Sequence, residues 1–355
     1  MSVTCESPGA EQTDERSGRA TPKEVIVTYK TLAALAVSAI GLTAGLGLPA
    51  LAQDAAAYRD QFTALPALPP IPAGSALTQA RIDLGQMLFF EPRISGSGVI
   101  SCATCHNPAL GWTDRIPRAT GHDGQVGDRN TPTALNAAFL DSQFWDGRAA
   151  TLEDQALGPI QASIEMNMTL EGAISRLKEF QIYQDMFAAA FPGDADPVNP
   201  PNVALAIAAF ERTLITPNSP FDRFLAGDDA AMSAQAQQGM VLFADNGCIA
   251  CHSGPNFSDG GFHAIQVPGS TDRGRALVTG DAADEHAFRT PSLRNIALTY
   301  PYFNNGSVEN LRDAVNIMGQ EMLGHEFTGE ELDALVAFLH TLTGEMPDVA
   351  VPALP

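Results

Sequence analysis

Apolar positions along the chain fall into three patterns. From Thr31 to Leu48 they form a nearly unbroken run of Ala, Leu, Val, Ile and Gly, preceded by Lys23 and Lys30 and closed by Pro49-Ala50-Leu51-Ala52. A basic region, an apolar region and an Ala-x-Ala site in that order are what an export signal requires, so cleavage after Ala52 is expected. The competing reading is a membrane anchor, because the run is nearly long enough to span; its many Ala and Gly and its small-residue site favour removal. Residues 1 to 22 are polar and acidic, atypical ahead of such a signal, and suggest a start placed too far upstream of Val25 or Val27.

The second pattern has helical period. Leu332, Leu335, Val336 and Leu339 make one stripe, opened by a Thr328/Glu331 capping box and expected to stop at Gly344. Val203, Ala206, Ile207, Phe210 and Leu214 make another, between Asn202 and Leu214. The third pattern is repetition. Gly85-Gln-Met-Leu88-Phe89 returns as Gly239-Met-Val-Leu242-Phe243, Arg129-Asn-Thr131-Pro132 as Arg289-Thr290-Pro291, and Gly147 with Leu152 as Gly306 with Leu311. The expected fold is therefore mainly α, built from two related domains by internal duplication. The expected division is 1–52 as extension and export signal, 53–225 as the first domain and 226–355 as the second.

Composition adjusts this picture. Of 355 residues, 45% are hydrophobic, enough for a core, but 31 Gly and 25 Pro exceed what a regular bundle carries, so long ordered loops are expected. The formal charge of -21 excludes a nucleic-acid partner and an anionic membrane surface.

The chemistry lies in the cysteines. Cys102-Ala-Thr-Cys105-His106 and Cys248-Ile-Ala-Cys251-His252 are each C-x-x-C-H. At that spacing one helical turn offers two thiols to the vinyl groups of a haem, and the following imidazole reaches the iron. A zinc Cys₄ site, a thioredoxin-like pair and two small disulfide rings are the competing readings; two covalently bound haem c groups are favoured.

The two repeats differ opposite those turns. Counting from Leu311 brings Met318 where counting from Leu152 brings Pro159. A methionine sulfur can bind iron opposite His252 and raise its potential, whereas proline offers nothing, so the first haem keeps an open face. Met322, one turn on, is the rival ligand, and core packing is the plain alternative for both. His122, in the Gly-flanked Thr120–Gly124 loop, is a conditional ligand to the first iron. Gln155 and Glu165 flank Pro159, where a carboxylate could move protons between peroxide oxygens. Trp145 is a packing residue that can also bridge electrons between haems. His263, His286, His325 and His340 are assigned no role.

With these residues in view, the chain resembles the bacterial di-haem cytochrome c peroxidases, the larger family that also contains the methylamine-utilisation protein MauG. The resemblance spans roughly Ala76 to Leu354 and includes SCATCHNPALGWTD, RNTPTALNAAF, QFWDGRA, GPIQASIEMN, TPNSPFDRFL, GCIACHSG, FRTPSLRN and LRDAVNIMG. It implies a peroxidatic first haem with His106 and a loop ligand at His122. It implies a high-potential second haem held by His252 and Met318, an inter-haem Trp145, and catalytic Glu165 and Gln155. It also implies a calcium ion between the domains, held by the Asn130 side chain and the carbonyls of Thr299 and Pro301.

The MauG branch carries a tyrosine at the methionine position and lacks the loop histidine. This chain has Met318 and His122, which favours the peroxidase; Tyr300 is read as packing. The segment from His252 to Met318 is shorter than in familiar peroxidases. The implied function is a periplasmic enzyme that reduces H₂O₂ to water with electrons from a small cytochrome c or a blue-copper protein, with a homodimer possible among relatives of this kind. The alternatives are a MauG-like enzyme that oxidises residues of a partner protein and a di-haem electron carrier without catalysis.

Overall fold

The computed structural model describes residues 54–355; the signal-like run and its Ala52 site lie outside the described residues. Among the described residues the α-helices are α1 (Gln79–Phe89), α2 (Cys102–Cys105), α3 (Leu152–Gln161), α4 (Leu170–Lys178), α5 (Gln181–Ala190), α6 (Pro200–Glu211), α7 (Pro220–Leu225), α8 (Ala234–Asp245), α9 (Ala276–Thr279), α10 (Leu311–Leu323) and α11 (Gly329–His340). A single antiparallel pair, β1 (Phe262–Ala264) with β2 (Ala287–Arg289), sets Phe262 opposite Arg289. The protein is mainly α-helical, as the periodicity predicts.

Two helix pairs organise the core, α1 against α6 and α8 against α11. Each closes on a glycine. A Cβ on Gly85 would lie 1.9 Å from Ala206 O, and one on Gly239 would lie 1.9 Å from Ala334 O, so in both pairs the backbones meet where a side chain is forbidden. The rings beyond repeat as well: Phe89 meets Phe210 at 5.3 Å and Phe243 meets Phe338 at 5.3 Å. The duplication read from sequence is thus a duplication of packing.

Local chemistry sets the helix ends. Thr328 and Glu331 form the expected capping box of α11, while Asn199 caps α6, with Pro200 pre-set in its first turn. Helix α11 stops at His340, before Gly344. Gly344 serves packing instead, since a Cβ there would lie 2.0 Å from Thr216 O.

The connections are long and still repeat. Asn136 and Asn295 both take left-handed backbone, with φ of 58° and 61°, and both donate to Thr216 Oγ1, at 2.7 and 2.8 Å. One hydroxyl therefore ties the two repeats together. The chain ends are exchanged between them. Ala55, Tyr58 and Phe62 pack into the second hydrophobic core, with Arg59 Nε donating to Phe224 O at 2.9 Å. Val349 and Leu354 pack against the first core, where Gln86 Nε2 donates to Ala350 O at 2.6 Å and Arg93 Nη1 to Pro355 O at 2.9 Å.

Candidate functional site

Each C-x-x-C-H segment follows the first helix of its pair and curls into a turn: α2 for Cys102–Cys105, a 3-10 turn for Cys248–Ala250. The histidines behind them are held alike. His106 Nδ1 lies 3.3 Å from Trp112 O and His252 Nδ1 lies 3.1 Å from Phe257 O. An Nδ1–H that donates to a carbonyl fixes the tautomer and leaves the Nε2 lone pair for a metal. Burial pushes both imidazoles below the usual histidine range, which keeps them neutral and able to ligate. Phe89 and Phe243 flank the two rings at 6.3 and 6.4 Å.

The thiols speak against a redox pair. Burial pushes Cys102 upward, Cys105 up to about 12 and Cys248 up to about 11, the reverse of what a reactive dithiol needs. They suit covalent capture of an apolar cofactor. A cavity of about 260 Å³ opens beside Cys248, Cys251 and His252, walled by Phe243, Leu335 and Leu339, with Met318 and Met322 both on its lining. Arg289 also stands on this wall. It is buried, its Nε and Nη1 meet the carbonyls of Phe144 (3.3 Å) and Thr290 (3.1 Å), and burial lowers it to about 10. A buried cation at that place suits the carboxylates of a haem. The donor set fits a c-type haem.

Around the first turn, backbone approach gathers the remaining candidates. His122 N–H donates to Glu165 O at 2.8 Å, and Gly96 N–H donates to Met166 O at 2.7 Å. Gly121 permits this: a Cβ there would lie 2.0 Å from Ile164 O. Gly121 thus has a packing role in the loop that carries His122. His122 Nδ1 is buried without a hydrogen-bond partner among the described residues, while its Nε2 lies 3.3 Å from Asp123 Oδ2. Glu165 is half-buried, burial raises its carboxyl above the usual range, and its charge acts on both Cys102 and Cys105. Gln155 lies in α3, four residues before Pro159 in the same helix.

Trp145 stands at the boundary of the repeats. Its Nε1 donates to Asn130 O at 2.9 Å, its carbonyl accepts from Arg289 N at 2.8 Å, and its indole meets Phe288 edge-on at 6.4 Å. It lines the cavity beside His252, together with Asn130, Thr299 and Pro301. Arg129 braces this region through Asp146 (2.5 Å) and Asp272 (2.6 Å). His263 lines the same cavity and pairs with Asp259 at 2.9 Å, a residue that sequence reasoning left without a role. Aligning the repeats across Asn130 and Arg289 would have drawn attention to the buried arginine.

Comparison with known proteins agrees with this geometry. Residues 79–230 match the family described as di-haem cytochrome c peroxidase and residues 236–343 match cytochrome c. The chain is 46% identical to the cytochrome c551 peroxidase of Pseudomonas aeruginosa over 316 residues, covering 85% of this chain and 91% of that one. It belongs to the di-haem cytochrome c peroxidase and MauG family. The methylamine utilization protein MauG of Methylorubrum extorquens is 40% identical over 316 residues, covering 85% of this chain and 89% of that protein. The crystal structure of a MauG-like protein associated with microbial copper homeostasis superposes with a TM-score of 0.73 at 28% identity, covering 79% of this chain and 95% of that one. As a family member, the chain carries two c-type haems.

Proposed function

We propose that this chain is a periplasmic di-haem c-type peroxidase, which reduces H₂O₂ with two electrons and two protons to two waters. The observation that carries the reading is the difference between the sites: Met318 lines the cavity beside His252, whereas the repeat sets Pro159 opposite His106. The haems, when bound, supply iron for peroxide to bind and for electrons to be stored. His106 and His252 would hold the two irons. Met318 would close the second site, and His122 would cover the first as a conditional ligand. Glu165 takes a proton from one peroxide oxygen and returns it to the departing one, a task that suits a carboxyl raised by burial. Gln155 orients the peroxide, and Trp145 bridges electron passage between the sites.

A calcium ion would be held by Asn130 Oδ1 and by the carbonyls of Thr299 and Pro301. Asn130 supports it by donating its amide nitrogen to Ile116 O at 2.9 Å, which leaves Oδ1 for a cation. Residues 53–225 form the peroxidatic domain and 226–355 the electron-entry domain, after removal of 1–52 during export. Among the described residues no helix is long and apolar enough to cross a membrane. The donor is a small cytochrome c or blue-copper protein with a basic docking patch, matching the charge of -21.

Turnover of H₂O₂ with a reduced small cytochrome tests the reading. Glu165→Gln should lower turnover roughly 10²- to 10⁴-fold with both haem spectra unchanged. Wild-type protein carrying both haems but inert to peroxide would remove the peroxidase assignment and favour the MauG-like or carrier readings.

A further inference from the structure

A buried acid stands beside the first haem site with no part in the mechanism above. Glu211, the last residue of α6, is 7% exposed, and its Oε2 has no hydrogen-bond partner among the described residues. The duplication places it. Gly85 meets Ala206 and Phe210 as Gly239 meets Ala334 and Phe338, so α6 and α11 superpose with Ile207 on Leu335 and Glu211 on Leu339. Leu335 and Leu339 line the cavity beside His252 together with Phe243, the ring next to that histidine. By the same geometry Glu211 lines the first haem site on the His106 side, away from the peroxide face. A second sign agrees: after burial, the Glu211 carboxylate is among the groups that push the Cys102 thiol upward.

We propose that Glu211 is a redox-linked proton acceptor of the first haem, set where the second haem has an apolar contact. Glu211 takes up one proton from solvent when one electron from the donor arrives at the first haem, and releases it when that electron leaves. The charge balance explains why. A ferric haem carries one more positive charge than a ferrous one, so the ionised carboxylate is favoured beside the oxidised centre and the neutral acid beside the reduced one. The other charged groups acting on Glu211 are Arg212, next to it in α6, and Glu153 of α3, which pair with each other at 2.8 Å. Ser75 Oγ donates to the same Glu153 carboxylate at 2.7 Å. Arg212 favours the Glu211 carboxylate and Glu153 opposes it; the Arg212 Nη1 is committed to Glu153, and Glu211 Oε2 has no hydrogen-bond partner among the described residues, so its protonation is free to follow the iron. Burial already raises its carboxyl to about 8 in the polypeptide alone. The inference rests on haem attachment at Cys102 and Cys105, not on the peroxidase reading.

The test is a spectroelectrochemical titration of the two-haem protein across the neutral and mildly alkaline range. The first haem's midpoint should fall as pH rises, approaching one proton per electron, while the second haem's midpoint serves as an internal reference. In Glu211→Gln that slope should vanish, and a protonated-carboxyl band in the reduced-minus-oxidised infrared spectrum should vanish with it. A slope retained in Glu211→Gln, or a flat wild-type profile, would overturn the proposal. Should Glu211→Gln fail to take up both haems, Glu211→Asp is titrated in its place. A slope displaced along the pH axis then supports the role, and a profile identical to wild type refutes it. Peroxide turnover plays no part in the readout, so an inert enzyme with a pH-linked first haem would sink the peroxidase reading and leave this one standing.

Discussion

The two halves share a packing scaffold and diverge in the segments and side chains set around it. Both fold a helix pair onto a glycine, set a phenylalanine beside a histidine, and tie that histidine's Nδ1 to a carbonyl. What separates them includes Met318 against Pro159 and Leu339 against Glu211. Duplication preserved the packing scaffold and left these positions free to diverge. Stability and reactivity are therefore separable here. Substitutions in the shared scaffold should act equally on both halves, and substitutions at the divergent atoms should act on one.

The largest expected effect breaks the asymmetry itself. Met318→Ala should remove the sulfur-to-iron charge-transfer absorption of the second haem and lower turnover with a protein donor at least as far as loss of Glu165 does. Met322→Ala should leave both intact; the opposite result would make Met322 the ligand. Next comes the shared scaffold. Gly85→Ala and Gly239→Ala each drive a methyl into a carbonyl oxygen, and each should cost about 3 kcal/mol or more of stability in denaturant unfolding. A large difference between the two would show that the packing is not truly repeated.

A smaller effect sharpens the chemistry of the first site. The Arg148 guanidinium lowers the Glu165 carboxyl, against burial that raises it. Arg148→Ala should raise it further, so that the proton-accepting carboxylate is lost at a higher pH. The acid limb of the kcat/KM profile then moves upward in pH, and Arg148→Lys moves it back. An unmoved limb in Arg148→Ala would place another group in control of that limb.

Much of this was legible in the sequence because its cause is local. The C-x-x-C-H turns are fixed by covalent spacing, the α11 cap by Thr328 and Glu331, and the repeats by recurring short words. The Met318 and Pro159 contrast followed from counting. What stayed hidden depends on chain segments distant in sequence. Gly121 reads as a flexible loop residue until Ile164 O is seen 2.0 Å from its missing Cβ, and Gly344 reads as a helix stop until Thr216 is seen beneath it. Glu211 follows Phe210 at the end of an apolar stripe, where a carboxylate looks like an ordinary solvent-facing terminus. Arg289 likewise shows its burial only when β2 is laid against β1.

The exchange of chain ends gives the molecule an order of completion. Emerging from synthesis, the segment around Tyr58 and Phe62 has no surface to rest on until Phe221, Phe243 and Phe338 have been made. The first half waits as well, because Val349 and Leu354, which pack against its core, follow the whole of the second half in the chain. Each half is sealed by a segment that lies beyond the other.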